Sequence, residues 1–415
     1  MKVLFITAYF PPSRFGWGYM RICEQVADGL AEKGHQVAVL TSTYRDGVEV
    51  KPYSVHRLLP IDPDWNAEKS ATRQFFFGRR KRERRAIQDL LHLVGVFHPQ
   101  VIFVWHAHGL PRVVLQAAEM LPEVKMVYYF ANYLPEMADE YIEYWKSSPQ
   151  YKPACLLKRP LAWFALKILA REGKPIVLKY EHSISVSDYV RQRLIDQRLI
   201  GPDAVVIPNG VDLEMFHYER NGKGVDRPLR GLSAGRMAPE KGIHTLLQAL
   251  SLLRQRGQLR DIHLTLVGDG PGGYKSRLQQ IIAEGELEPY VNFDQPVPIG
   301  DMPALLALYD VLFLPSEWQE PLANIMLEAM AEGLLVIGTL TGGSGEVLSH
   351  LRTGLAFPAG DVDALADLIA TIISDRALLE RLSKNGQQQV REKFDMKNSI
   401  NQIESYIQGL IQTAA

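Results

Sequence analysis

The stretch Leu229-Arg230-Gly231-Leu232-Ser233-Ala234-Gly235-Arg236-Met237-Ala238-Pro239-Glu240-Lys241-Gly242 decides the fold. Its first six residues read as a short buried strand, and its last opens an amphipathic helical pattern over 242–256. A strand, a short loop and a helix in that order form the repeating unit of parallel α/β architecture, because a crossover helix must return the chain to the sheet. Downstream the unit recurs: strands at 263–267, 291–293, 311–314 and 335–338 alternate with helical patterns at 274–284, 302–308 and 324–332. Upstream, 2–7, 36–41, 101–105, 125–130 and 182–186 read as strands. The amphipathic stretch 19–33 ends at Gly34, a helix-stop signal.

Two such series predict an α/β protein with two doubly wound parallel sheets. The length of 415 residues suits that division, since single cores stop growing at about 250 to 300 residues. The first domain is expected over 1–215, completed by a last helix within 395–415, and the second over 216–394. Asn221-Gly222-Lys223-Gly224 reads as an exposed linker near the joint.

Composition narrows the class. With 47% hydrophobic and 22% charged residues the chain reads as soluble and globular. Two cysteines, Cys23 and Cys155, cannot make a disulfide framework, which points to a cytoplasmic setting and ordinary packed thiols. The apolar start, Met1 to Thr7, reads as a strand and not a secretory leader, because Pro11-Pro12 breaks it early. Residues 1–175 carry 24 Lys and Arg against 17 Asp and Glu, and the remainder 22 against 30. That basic first half suggests an anionic partner there, although ordinary solvated faces explain it equally well. Two segments join aromatic to basic residues, Phe75 to Arg85 and Lys158 to Leu169. Such elements suit an anionic membrane interface, and buried or solvated helix faces are the plainer reading. No nucleic-acid partner is expected.

In open α/β sheets, ligands bind beyond the carboxyl ends of the strands. Arg236 and Lys241 stand at such an end and can converge on one diphosphate. Fixed cations there would stabilise a leaving nucleotide diphosphate without a metal. The segment Glu317-Trp318-Gln319-Glu320-Pro321-Leu322-Ala323-Asn324-Ile325-Met326-Leu327-Glu328 places one glutamate before a helix and one inside it. Eight helical residues rise about 12 Å, the span from a donor sugar to the ribose of its nucleotide. The helix start between them offers N–H groups to phosphate.

These segments resemble glycosyltransferase family 4 (glycosyl transferases group 1), marked by an Arg and a Lys after the first strand of the C-terminal domain and by an E-x7-E motif. The likeness continues through Val206-Ile207-Pro208-Asn209-Gly210-Val211-Asp212, Val267-Gly268-Asp269-Gly270-Pro271, Pro315-Ser316 and Gly342-Gly343-Ser344-Gly345-Glu346. It implies the GT-B fold, two Rossmann-like domains facing a central cleft. It also implies a retaining hexosyltransferase that takes a nucleotide-diphosphate sugar, such as a UDP or GDP sugar, and needs no metal or other cofactor. By the same resemblance His108, Arg236, Lys241 and Glu320 form the catalytic set. Gly18, Gly268, Leu322, Ala323, Asn324 and Glu328 would hold the donor. Gly16, Trp17, His106, Asn132 and Tyr133 are candidates for the acceptor, which could be a sugar, a sugar phosphate, a lipid or another small molecule. The chain departs from the family where Trp17 replaces a glycine, where Leu322-Ala323 replaces Phe-Gly, and where Leu334-Leu335 replaces Leu-Pro.

Other readings compete. Gly268-Asp269-Gly270-Pro271-Gly272-Gly273 is literally G-x-G-x-x-G, which alone argues for an NAD-dependent oxidoreductase. Pro271 weakens it by removing an N–H from the loop that should cradle pyrophosphate. A non-catalytic nucleotide-sugar-binding protein fits the Ala323 departure. A sugar epimerase of the same fold gains no support from the E-x7-E order, and a phosphorylase is chemically close.

Overall fold

Strands covered on both faces by helices must be apolar throughout, not alternating. Lys2–Thr7 (β1) shows this, with every residue after the half-buried Lys2 buried. A computed structural model of the chain describes residues 1–13, 15, 17–48, 50–64, 71–147, 152–217, 227–270 and 272–413, without the side chains of 17 and 152–157. The loop glycines and linker at 16 and 221–224, the side chains of Trp17 and Cys155, and Pro271 therefore lie outside the described residues. Cys23 is buried as a free thiol.

The chain divides into two compact units: 1–186 with 190–207 and 400–415, and 187–189 with 208–399. The first unit holds β1, Gln36–Ser42 (β2), Ser54–Leu59 (β3), Val101–His106 (β4), Lys125–Phe130 (β5), His182–Ser185 (β6) and Val205–Val206 (β7). All pair in parallel, in the order β3-β2-β1-β4-β5-β6-β7. The second holds Leu229–Ala234 (β8), Ile262–Val267 (β9), Val291–Asp294 (β10), Val311–Leu314 (β11), Leu335–Thr339 (β12) and Leu355–Phe357 (β13). Its parallel order is β10-β9-β8-β11-β12-β13. Each is a doubly wound α/β sheet, as the resemblance to the GT-B fold implies.

Helices needed below are Trp17–Glu32 (α1), Ala71–Phe76 (α2), Arg79–Phe97 (α3), Glu140–Lys146 (α4), Lys152–Arg171 (α5), Ile243–Gln255 (α6), Asn324–Ala331 (α7) and Met396–Gln412 (α8). From Ile400 onward α8 belongs to the first unit, where Glu404 bonds the Lys33 ammonium at 2.6 Å and the His35 ring at 2.6 Å. Residues 208–217 belong to the second unit. There Val211 donates to the Phe394 carbonyl at 2.7 Å and accepts from the Met396 N–H at 3.0 Å. No helix among the described residues is long and apolar enough to cross a membrane.

The strand order matters for function. It reverses direction between β1 and β4 in one sheet and between β8 and β11 in the other. A crevice opens where neighbouring strands send their helices to opposite faces, so these switch points are where a ligand fits.

Candidate active site

At the second switch point, the loops after β8 and β11 are joined through their backbones. The Glu317 N–H donates to the Glu240 carbonyl at 2.9 Å. Gly242 adopts φ +65°, and a Cβ there would stand 1.9 Å from the Pro315 carbonyl oxygen. Only glycine combines that left-handed backbone with so close an approach. The contact brings Lys241 to Glu320: the ammonium lies 2.6 Å from Oε1. Ser316, almost fully buried, donates its hydroxyl to the same oxygen at 2.6 Å. The Lys241 ammonium also stands 5.7 Å from the centre of the Trp318 ring, within range of cation–π attraction.

Arg236 behaves differently. It is 59% exposed and pairs with Glu240 at 2.6 Å, one turn further on. The two cations of this loop therefore have separate carboxylate partners. Convergence of both on one diphosphate is an expectation about the bound state.

The Glu320 backbone is held as firmly as its side chain. Its carbonyl accepts the Gly343 N–H at 2.7 Å, and the Gly342 N–H donates to Gln319 Oε1 at 2.7 Å. Leu322 and Ala323 are buried behind it. Ala323 precedes α7 with φ −80° and ψ 106° and no side-chain cap. That is ordinary extended backbone, so the alanine methyl in place of the family's glycine adds no strain. Asn324 opens α7 and accepts from Asn209 Nδ2 at 2.8 Å. Glu328 sits within α7, half-buried. No side chain caps α7 at Ala323, and the Met326 N–H donates to the Ala323 carbonyl at 3.0 Å. A helix start carries a partial positive charge that favours an anion.

The glycines of the dinucleotide-like run have another use. Gly268, at φ +144°, backs onto Gly235, whose carbonyl oxygen would lie 2.0 Å from a Cβ, and Gly270 backs onto the Met237 carbonyl at 1.9 Å. Close backbone packing against the Arg236 loop accounts for both. The run follows β9, the neighbour of β8 on the side away from β11.

At the first switch point, His106 ends β4 and its half-buried ring stacks on Tyr19 of α1 at 5.9 Å. Burial, then the neighbouring His108, lower its pKa from 6.5 to about 4. A proton taken up more readily by the unfolded chain penalises folding as pH falls from 6.5 towards 4. Replacing His106 with Phe is therefore expected to move the acid-unfolding midpoint to lower pH, measured by circular dichroism. An unchanged midpoint would show that the ring protonates freely in the folded state. His108 turns Nδ1 to Glu140 Oε1 at 3.8 Å. Glu140, the first residue of α4, accepts the Gly109 N–H at 3.1 Å. Burial raises its pKa, against the backbone donors, Arg112 and His108. Asn132 accepts the Leu134 N–H at 3.0 Å and so shapes its own turn. Tyr133 is buried beneath the Arg193 guanidinium, 4.6 Å from its ring centre. Gly18 lies in the first turn of α1.

Sequence reasoning passed over Glu140 and the cluster around Glu317. Thr245 donates to Glu317 at 2.6 Å, and the His244 ring lies 3.3 Å from it. His244 and Thr245 begin α6 beside Lys241, but nothing in the spacing pairs them with residues some seventy positions on.

Comparison with known proteins gives the family. The family described as "Glycosyl transferases group 1" matches residues 219–389, and "Glycosyltransferase Family 4" matches 18–215. A GDP-mannose-dependent alpha-(1-6)-phosphatidylinositol monomannoside mannosyltransferase of Mycobacterium tuberculosis (strain CDC 1551 / Oshkosh) is 28% identical over 239 residues. That match covers 54% of this chain and 60% of the relative, so the chain spans less than two thirds of that relative's length. Among solved structures, the sucrose-phosphate synthase of Thermosynechococcus elongatus aligns with a TM-score of 0.72 at 20% identity, covering 99% of each chain. HepE of Anabaena, solved with UDP, aligns at 0.68 and 20% identity over 99% of this chain and 100% of its own. Switch-point loops, motif order and both family matches lead to one conclusion: the chain belongs to the family 4 glycosyltransferases of the GT-B fold.

Proposed function

We propose that the protein transfers a hexose from a nucleotide-diphosphate sugar to an acceptor hydroxyl, with retention of configuration and without a metal. The observation that carries this reading is the Lys241–Glu320–Ser316 group at the switch point of the second sheet. A fixed ammonium, together with the positive end of α7, would stabilise the charge that develops on a departing diphosphate. Arg236 would leave Glu240 for the same phosphates, since an exposed ion pair is worth at most about 1 kcal/mol. Lys241 and Arg236 would thus do by position what a metal does elsewhere.

In this reading the second unit is the donor domain. Glu320 orients the hexose, Glu328 bonds the ribose, and Gly268, Leu322, Ala323 and Asn324 line the donor site. The first unit takes the acceptor through His106, His108, Asn132 and Tyr133, and Gly18 approaches the donor. His108 would bond a sugar hydroxyl, and no side chain forms a covalent intermediate. The acceptor class includes sugars, sugar phosphates and lipids, and the reaction would run on the cytoplasmic side, in contact with an anionic membrane.

A thermal-shift screen of UDP and GDP sugars, followed by an assay of released nucleotide, tests the reading. Nucleotide binding with no release in the presence of any acceptor would favour the binding-protein alternative, and stabilisation by NAD alone the oxidoreductase. Within the proposal, Glu328→Ala is expected to weaken nucleotide binding about 10- to 100-fold, the worth of hydrogen bonds to a charged group. Calorimetric titration checks this, and an unchanged affinity would remove Glu328 from the donor site.

A further inference from the structure

Helices α2, α3, α4 and α5 add a small helical body with its own core to the first unit. Phe75 packs edge-on against Tyr141 at 5.1 Å and Trp145 at 5.4 Å, with Ala165 and Leu169 of α5 buried alongside. Arg79 is 3% exposed and bonds Glu83 at 2.9 Å as well as Glu172. Lys174 lies 3.6 Å from Glu83 and 3.6 Å from Asp139. Buried, mutually paired charges are costly to separate, so the inner side of α5 is pinned and its outer side has a fixed orientation.

That outer side is apolar where solvent meets it. Trp163 is 61% exposed, Phe164 53% and Leu161 42%. Phe164 stacks on Phe76 at 6.3 Å, and the next residue, Phe77, is 73% exposed. Single exposed apolar residues need no explanation, but an adjoining group of large ones marks a contact surface.

Cations surround it. Arg159, Lys167 and Arg171 are exposed along α5, and Arg80 and Arg85 along α3. The Lys167 ammonium lies 3.7 Å from the centre of the Trp163 ring. Glu172 is engaged by Arg79 and Arg80, and Asp89 lies 3.8 Å from Arg85. A protein partner would have to match both the aromatic ridge and a diffuse positive field. An anionic bilayer interface matches both without specific shape, because rings enter the headgroup layer while Lys and Arg remain at phosphate level.

We infer that this face, formed by α5 and the α2–α3 junction, docks on the surface of an anionic phospholipid membrane. The inference gives a location to the membrane contact proposed above and does not depend on the sugar transferred.

The test is co-sedimentation of the full chain with phosphatidylcholine vesicles, with and without phosphatidylglycerol, at low and high salt. The protein is expected to pellet with the anionic vesicles and to be released by salt. Arg159→Gln with Lys167→Gln should lower the partition coefficient about thirtyfold, since each surface cation contributes about fivefold near an anionic leaflet. Trp163→Ser with Phe164→Ser should lower it at least about tenfold through lost apolar burial. Circular dichroism reports whether each pair of substitutions folds, and the charge pair stands as the second arm if the aromatic pair does not. Absence of pelleting, equal pelleting with pure phosphatidylcholine, or unchanged partition in both folded variants overturns the inference. So does a dimer that the aromatic substitutions split, by light scattering, while vesicle binding persists. Nucleotide thermal shifts, read separately, report on the transferase proposal.

Discussion

Lys241→Ala is expected to lower turnover about 10²- to 10³-fold while nucleotide affinity changes far less. The ammonium is held in place by the protein itself: Glu320 bonds it at 2.6 Å, and the Trp318 ring lies 5.7 Å away. A donor that requires no rearrangement as charge develops acts mainly on the transition state, which is where effects of this size arise. Lys241→Arg should rescue little, because a planar guanidinium cannot replace a compact ammonium between a carboxylate and a phosphate. Stability gives an independent check. Glu320 is 5% exposed and keeps Ser316 as a partner when the lysine is removed. Leaving a buried carboxylate under-paired costs about 1–3 kcal/mol. Lys241→Met combined with Glu320→Gln removes both charges, so it should recover most of the melting temperature and none of the activity. If the single alanine variant released nucleotide at the native rate, Lys241 would have no part in leaving-group departure.

Gly242→Ala should be among the most damaging small substitutions in the second unit. The added Cβ would meet a main-chain carbonyl, Pro315 O, at 1.9 Å, and neither backbone can yield without parting the loops after β8 and β11. Gly257 supplies the control. Its φ is +68° against +65° at Gly242, yet a Cβ there meets nothing within 4 Å. Gly257→Ala therefore carries only the cost of left-handed backbone, about 1–2 kcal/mol. Gly242→Ala adds a steric collision and should lose at least about 2 kcal/mol more. It should also lose activity, because Lys241 and Glu320 lose their registration. Denaturant titration of the two variants measures the difference. Equal losses would mean that the loop relaxes freely, and that the close approach to Pro315 does not fix the site.

Much of the architecture could be read from local pattern. Strands buried on both faces, such as β1 and β12, announce themselves as apolar runs. The edge strands β3 and β7 and the three-residue β13 did not, since an edge position relaxes the demand for apolar side chains and a short strand shows no period. The pairing of Lys241 with Glu320 also lay outside local reading. They are 79 positions apart, and what joins them is the adjacency of β8 and β11.

By itself the sequence determined the parallel α/β class, the repeated strand–loop–helix units, and which loops carry charge and glycine, because each depends on chemistry within a few neighbouring residues. The tertiary structure alone decided which carboxylate meets which cation, that Arg236 turns to Glu240, and that Glu140 faces His108. Those outcomes depend on sheet order and on backbones in contact, and a contact between distant segments leaves no periodic trace in either one.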